Sequence, residues 1–475
     1  MAHLHPPSGA GQQPLAAVDR AWLRMDVPTN LMVVNALLWL REPLPRAELE
    51  ALMRERISWI PHMRQVPRDG CWATVAVDLS AHLREHELPA DIDEHELQAR
   101  IGELISVPLD HERPLWELHL LQRPGQGSMV LTRVHHCVGD GLAQLLLLLA
   151  LTERGPEPSP HPLRALFESG AVAGARSYIR ELMPRGMKLL LRADHLALEA
   201  ATGESVEQRR RPEGLAGARA QVQRALDIGS AATRDLASLV LRRPDSATLL
   251  RGPLSTDKRA AWSRTLPLTE LKARCKALDA TINDLLIAAL AGGLRRYLVA
   301  RGRSPHRVEL RAAVPINLRG LAELRELGNR FGLVFLELPI GLDDPRARLR
   351  EVHRRMDALK HSIEPLVTWG LLELMGHAPQ AFEDALLAYF AERVSCVMTN
   401  VPGPEQHLYL AGRELEGMMF WVPQSGRVGL GLSICSYAGE LRFGVMSEAS
   451  LIPDPERLVE CVERELWALG AVERP

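Results

Sequence analysis

Apolar positions along the chain alternate between strand-like and helix-like periods. The segment from Thr29 to Leu40, TNLMVVNALLWL, is β-branched and apolar, and it is bounded by Pro28 and REPLPRAE. It reads as a buried strand. PRAELEALMRERI has helical spacing, with Pro45 as a first-turn residue. CWATVAVDLSAHLREHELP predicts a strand and an irregular extended stretch, and DEHELQARIGELI a helix. WELHLLQ and SMVLTRVHH predict paired strands joined by the turn RPGQG, followed by a buried helix over DGLAQLLLLLALTERG. Between Gly155 and Gly252 the pattern changes to a linker, GPEPSPHP, and then Ala/Arg/Leu-rich segments with helical spacing. Within them RGMKLLLRADHLALEA reads as an exposed helix, a membrane-surface helix being the alternative. From Arg259 strands and helices alternate again. TELKARCKAL and TINDLLIAALAGGLRRYLVARG are helical, and RVELRAAVPINLR, GLVFLELPI, RVSCVMTNVPG, LEGMMFWVP and GLGLSICSYAGELRFGVMSE are strands. The chain closes with a helix for which Asp454 is a candidate cap and Pro455 a first-turn residue.

These elements predict an α/β protein of two halves. A disordered leader covers 1–13, an N-terminal domain 14–180, a helical crossover 181–258 and a C-terminal domain 259–475, with the site between the halves. Composition narrows the function classes. Lys+Arg 57 against Asp+Glu 59, a formal net charge of -2, offers no global attraction for nucleic acid. Six scattered cysteines without a Cys-x-x-Cys pair read as reduced cytosolic thiols, which places the protein in the cytoplasm. No apolar run reaches the roughly 18 residues of a membrane span, while peripheral attachment at a membrane or lipid inclusion stays open.

The candidate chemistry sits in RVHHCVGDGLAQLLLLLA, Arg133 to Ala150. On a strand, His135 and His136 point to opposite faces and cannot chelate one metal together. No Gly-x-Ser-x-Gly elbow is present, and Cys137, adjacent to His136, is core filling rather than a nucleophile. Two readings remain on these residues alone. Either one histidine is a lone general base, or both are satisfied core residues.

His135-His136-x-x-x-Asp140-Gly141 resembles the signature of CoA-dependent acyltransferases. PLW at Pro114 to Trp116, Asn283-Asp284 in a helix, GNRFG at Gly328 to Gly332 and TNVPGP from Thr399, in this order, resemble the bacterial wax ester synthase/diacylglycerol acyltransferase family, as does the opening PLAAVDRAWLRMDVPTNLMVV. The likeness runs from about Pro14 to Gly470. The Asp-Phe-Gly-x-Gly motif of plant acyltransferases is absent, and GPLSTDK from Gly252 matches the family poorly.

The resemblance implies the two-domain chloramphenicol acetyltransferase-like fold with mixed sheets and a tunnel between domains. It implies transfer of a fatty acyl group from acyl-CoA, as co-substrate, to a fatty alcohol or diacylglycerol. No acyl-enzyme, bound cofactor or metal is implied. An O-acyltransferase acting on a secondary-metabolite or glycolipid hydroxyl is the nearest alternative, and a non-catalytic lipid-binding relative the alternative of another class. His136 is the implied general base and His135 its support. Asp140, paired with an arginine for which Arg319 is the candidate, and Gly141 are structural. Asn283 and Asp284 support the site, with a cap or core hydrogen bond as the plainer role. Thr399 and Asn400 bind substrate, with a turn cap as theirs. Trp116 is architecture, and GMMFWVP, from Gly417, is a core strand with an adaptable surface.

Overall fold

The computed structural model describes residues 13–157, 159–183, 239, 241–318, 328–359, 362–424 and 428–471. Nearly all of the predicted leader, the central part of the crossover and Arg319 lie outside these residues. Two mixed sheets organise the described chain, with a small three-stranded sheet, Gln13–Pro14, Cys71–Thr74 and Gln65–Arg68, at one side.

The first large sheet is ordered Tyr409–Leu410, Arg413–Trp421, Val33–Leu40, Met129–His135, Trp116–Gln122, Leu83–Glu87. The predicted hairpin is present: Trp116 pairs antiparallel with Val134 and Leu121 with Met129. Only the outermost strand, Leu83–Glu87, runs parallel to its neighbour. The other sheet places Phe331–Leu338, Leu310–Asn317, Cys396–Pro402, Leu430–Tyr437, Glu440–Glu448 and Lys258–Trp262 side by side. Its three central strands are mutually parallel, and antiparallel strands flank them.

Sheet membership does not follow chain order. The Arg413–Trp421 strand, from the last quarter of the chain, pairs with Val33–Leu40, Trp421 opposite Asn35 and Met419 opposite Leu37. Met418, Met419 and Trp421 thereby join the N-terminal core. GMMFWVP is thus a core strand, and its Met418 and Phe420 also face the central cavity.

The buried helix Ile282–Ala300 packs between Pro345–Leu359 and Pro455–Ala468 in the second half. Asp454 does stand at the N-cap position of the last helix, but its side chain makes no cap bond. It accepts instead from the Tyr297 hydroxyl, 2.6 Å, and pairs with Arg301, so that it ties this helix to Ile282–Ala300. Among the described residues no single helix is long and apolar enough to cross a membrane.

Candidate active site between the two sheets

The Met129–His135 strand ends on His135, and His136–Val138 form one 3-10 turn. The two histidines diverge, as alternation predicted, but through the backbone turning at His136 rather than through strand pleating alone. The His135 ring is fully buried. Its Nδ1 accepts the Cys137 N–H at 3.1 Å, and its Nε2 lies 3.7 Å from Asp26 Oδ2, which is also 2.9 Å from His111 Nε2. Burial alone would raise the Asp26 carboxyl, but hydrogen bonds from His111 and His135 hold it well below the usual carboxylate range. Asp26, His111 and His135 form the one group with metal-ligand spacing among the described residues. Because Nδ1 of His135 accepts the Cys137 N–H, its proton resides on Nε2, the nitrogen 3.7 Å from the Asp26 carboxylate. Cys137 is fully buried, and burial pushes its thiol far up, consistent with core filling.

His136 takes the other direction and lines a cavity of about 1270 Å³ between the sheets. Its ring stacks on the Trp22 indole, centroids 4.2 Å apart at 26°. Its N–H donates to the Met32 carbonyl at 2.7 Å, and its carbonyl accepts from Asn329 Nδ2 at 2.8 Å. Burial, reinforced by the adjacent His135, pushes the imidazole down to about 4. The ring is therefore neutral near neutral pH.

Asp140 caps the leucine-rich helix Gly141–Leu151. One oxygen accepts the Ala143 N–H at 3.0 Å and the other the Arg330 N–H at 2.9 Å, while the Asp140 N–H donates to Gly328 O. The carboxylate thus binds backbone at a helix start, whereas the sequence reading expected only an arginine partner. Of the two glycines flanking Asp140, the one crowded by the protein itself is Gly139. A Cβ at Gly139 would sit 2.4 Å from the Ala143 Cβ, whereas one at Gly141 would meet nothing within 4 Å. Gly141 leaves room on the cavity wall beside His136.

The cavity exceeds the roughly 300–1,000 Å³ of a drug-sized site and is largely apolar. Val34, Ala36 and Leu38 reach it from alternate positions of one strand, and Leu142, Leu145 and Leu148 from one face of the capped helix. Trp116 is buried at the start of its strand, as expected of architecture, and also lines this wall. Asn283, Asp284, Thr399 and Asn400 all reach the same cavity. Asn400 Nδ2 donates to Asn283 Oδ1 at 2.5 Å. Asp284 closes a capping box with Thr281 and lies 2.8 Å from His353 Nδ1, so its carboxylate is engaged structurally.

Sequence reading missed the element behind His136. The helix Ala17–Met25 and the residue after it present Asp19, Trp22 and Asp26 at i, i+3 and i+7, on one face. Asp19 binds Asn329, Trp22 stacks on His136, and Asp26 faces His135. Carboxylates on the buried stripe of an amphipathic helix were the available signal. Asn329 lies in GNRFG, whose sequence alone assigns it no role.

Residues 15–286 match the model of the wax ester synthase/diacylglycerol acyltransferase catalytic domain, and 327–470 that of the WS/DGAT C-terminal domain. A probable diacylglycerol O-acyltransferase of Mycobacterium tuberculosis is 27% identical over 402 residues, 84% of this chain and 80% of that protein. A second M. tuberculosis chain named for the same activity is 28% identical over 482 residues, 97% and 91% of the respective chains. The fold is similar to that of the wax ester synthase/diacylglycerol acyltransferase from Marinobacter aquaeolei VT8, with TM-score 0.66 and 22% identity, covering 97% of this chain and all of that one. The starter condensation domain of rhizomide synthetase is similar at TM-score 0.53 and 14% identity, over 97% and 94%. The two matched models together span almost the whole described chain, and the chain belongs to the wax ester synthase/diacylglycerol acyltransferase family and is an acyltransferase.

Proposed function

We propose that this enzyme moves a fatty acyl group from acyl-CoA to the hydroxyl of a fatty alcohol or a diacylglycerol, giving a wax ester or a triacylglycerol, with His136 as general base. The observation that carries the reading is a neutral, buried imidazole on the wall of a large apolar cavity. The imidazole takes the acceptor's hydroxyl proton as the oxygen attacks the thioester carbonyl. The tetrahedral intermediate then collapses, the C–S bond breaks, and the imidazolium returns the proton to the departing CoA sulfur. A site that disfavours imidazolium makes this second transfer strongly downhill. No acyl-enzyme is needed, because acyl donor and acceptor meet at one base. Asn283, its oxygen held by Asn400, is positioned to offer its amide N–H to the developing oxyanion. Thr399 and Asn400 line the substrate path. Acyl-CoA is a co-substrate, no bound cofactor is required, and a cytoplasmic enzyme touching a lipid surface suits these substrates.

The test is thiol release from long-chain acyl-CoA with a panel of fatty alcohols, diacylglycerols and glycolipid hydroxyls. Release with alcohols or diacylglycerol is expected, and His136→Ala should lower it by about 10²-fold or more at an unchanged thermal midpoint. Substantial residual transfer in that variant would remove His136 from its role. No release with any acceptor would instead fit a lipid-binding relative.

A further inference from the structure

We propose that Asn329 fixes the tautomer of His136, holding the ring proton on Nδ1 so that the Nε2 lone pair faces the cavity. The proposal rests on His136 being the base and makes Asn329 its positioning residue.

The orientation of the Asn329 amide is set by its own partners. Nδ2 donates to the His136 carbonyl and to Asp19 Oδ1, each at 2.8 Å. Both are acceptors, so a flipped amide would set oxygen against oxygen twice, and Oδ1 must occupy the other end. That Oδ1 is buried without a hydrogen-bond partner, and so is Nδ1 of His136. A buried acceptor and a buried ring nitrogen, both unsatisfied on neighbouring groups, mark an interaction poised to close. Two groups act on the ring as acceptors, the Asn329 side chain and the residue's own carbonyl, and both favour its charged form. Neither reaches full hydrogen-bond geometry with Nδ1. A ring proton on Nε2 would point the Nδ1 lone pair at acceptors alone, whereas a proton on Nδ1 finds an acceptor in either. Nδ1 is sealed from solvent, and His136, only 9% exposed as a residue, lines the cavity. As imidazolium forms, the Nδ1–H bond to Asn329 tightens and supports the charge. The Trp22 stack fixes the plane in which this happens.

The test uses histidine-selective ¹⁵N labelling of the full chain, with His136 assigned by its loss in His136→Ala. The expected wild-type spectrum shows a pyrrole-type Nδ1 and a pyridine-type Nε2. Asn329→Leu, close in size but without the acceptor, should populate the other tautomer and lower kcat at least about tenfold. Asn329→Asp, which keeps an acceptor and adds charge, should retain the tautomer and move the acid limb of the pH–kcat/KM profile upward by about one unit or more. A wild-type His136 protonated on Nε2 would overturn the proposal. So would an Asn329→Leu enzyme with unchanged thermal midpoint, tautomer and kcat. If Asn329→Leu does not fold, Asn329→Asp carries the decision, because an unmoved acid limb there refutes the contact. The tautomer is read without turnover, so activity surviving in His136→Ala would refute the general-base reading and leave the Nδ1 assignment to be judged on its own spectrum.

Discussion

At the scale of single residues, the molecule keeps the His136 ring uncharged by enclosing it. With the His136 imidazole pushed down to about 4, the free enzyme holds the neutral form, the one the proposed general base needs, throughout the usual working range. The acid limb of a kcat/KM profile measured between pH 4 and 8 should therefore lie near the low end. A limb centred near 6.5, the ordinary histidine value, would show that the ring is hydrated in solution. His136 was legible in the sequence because its motif is local, seven consecutive residues whose order constrains one turn. Asp19, Trp22 and Asn329 were not, because they meet His136 only after the chain has brought segments from three parts of the sequence together. No spacing rule reports a contact between residues 22 and 136.

Among the elements, the leucine-rich helix shows how one start signal serves two purposes. Asp140 satisfies a helix N–H and also the Arg330 backbone across the interface between the halves. Asp140→Ala removes a cap and leaves a second donor unmatched, so thermal or denaturant unfolding should register about 1–3 kcal/mol of lost stability. Activity should fall with it, because the His136 turn and the Gly328–Arg330 segment lose their common anchor. The glycines on either side of Asp140 predict opposite outcomes. Gly139→Ala should destabilise the fold, as its methyl would overlap Ala143. Gly141→Ala has open space at the first helical position and should leave the thermal midpoint unchanged or slightly raised while narrowing the cavity beside the base. Equal loss of stability in both variants would contradict this assignment. The sequence showed the helix clearly, but not that Asp140 caps it or which glycine is crowded, because crowding depends on how the turn after His136 sets Gly139 against Ala143.

For the whole molecule, burial of many histidines makes stability depend on acid. Burial pushes His62 and His136 down to about 4 and also lowers His82, His119, His135 and His161. The unfolded chain takes up these protons near 6.5 and the folded chain only well below it, so added protons favour unfolding across that window. Asp26 acts in the same direction below the ordinary carboxylate value, while His111, raised by its bond to Asp26, offsets a little. The thermal midpoint should be level above about pH 7 and decline steadily toward pH 4.5. A midpoint unchanged over that range would mean these rings are not buried as described. The two-sheet α/β plan was readable from periodicity. The crossing of the Arg413–Trp421 strand into the other sheet was not, since a strand's apolar pattern states that it is buried and not beside which neighbour. That crossing governs synthesis. While the ribosome is still making the C-terminal half, the Val33–Leu40 strand has one edge unpaired, because its partner is among the last strands to emerge. The nascent N-terminal half must wait with an open, apolar sheet edge, a site for mispairing with other chains. Chains stopped before residue 413 should aggregate rather than fold, and the two halves, made separately, should become soluble only when produced together.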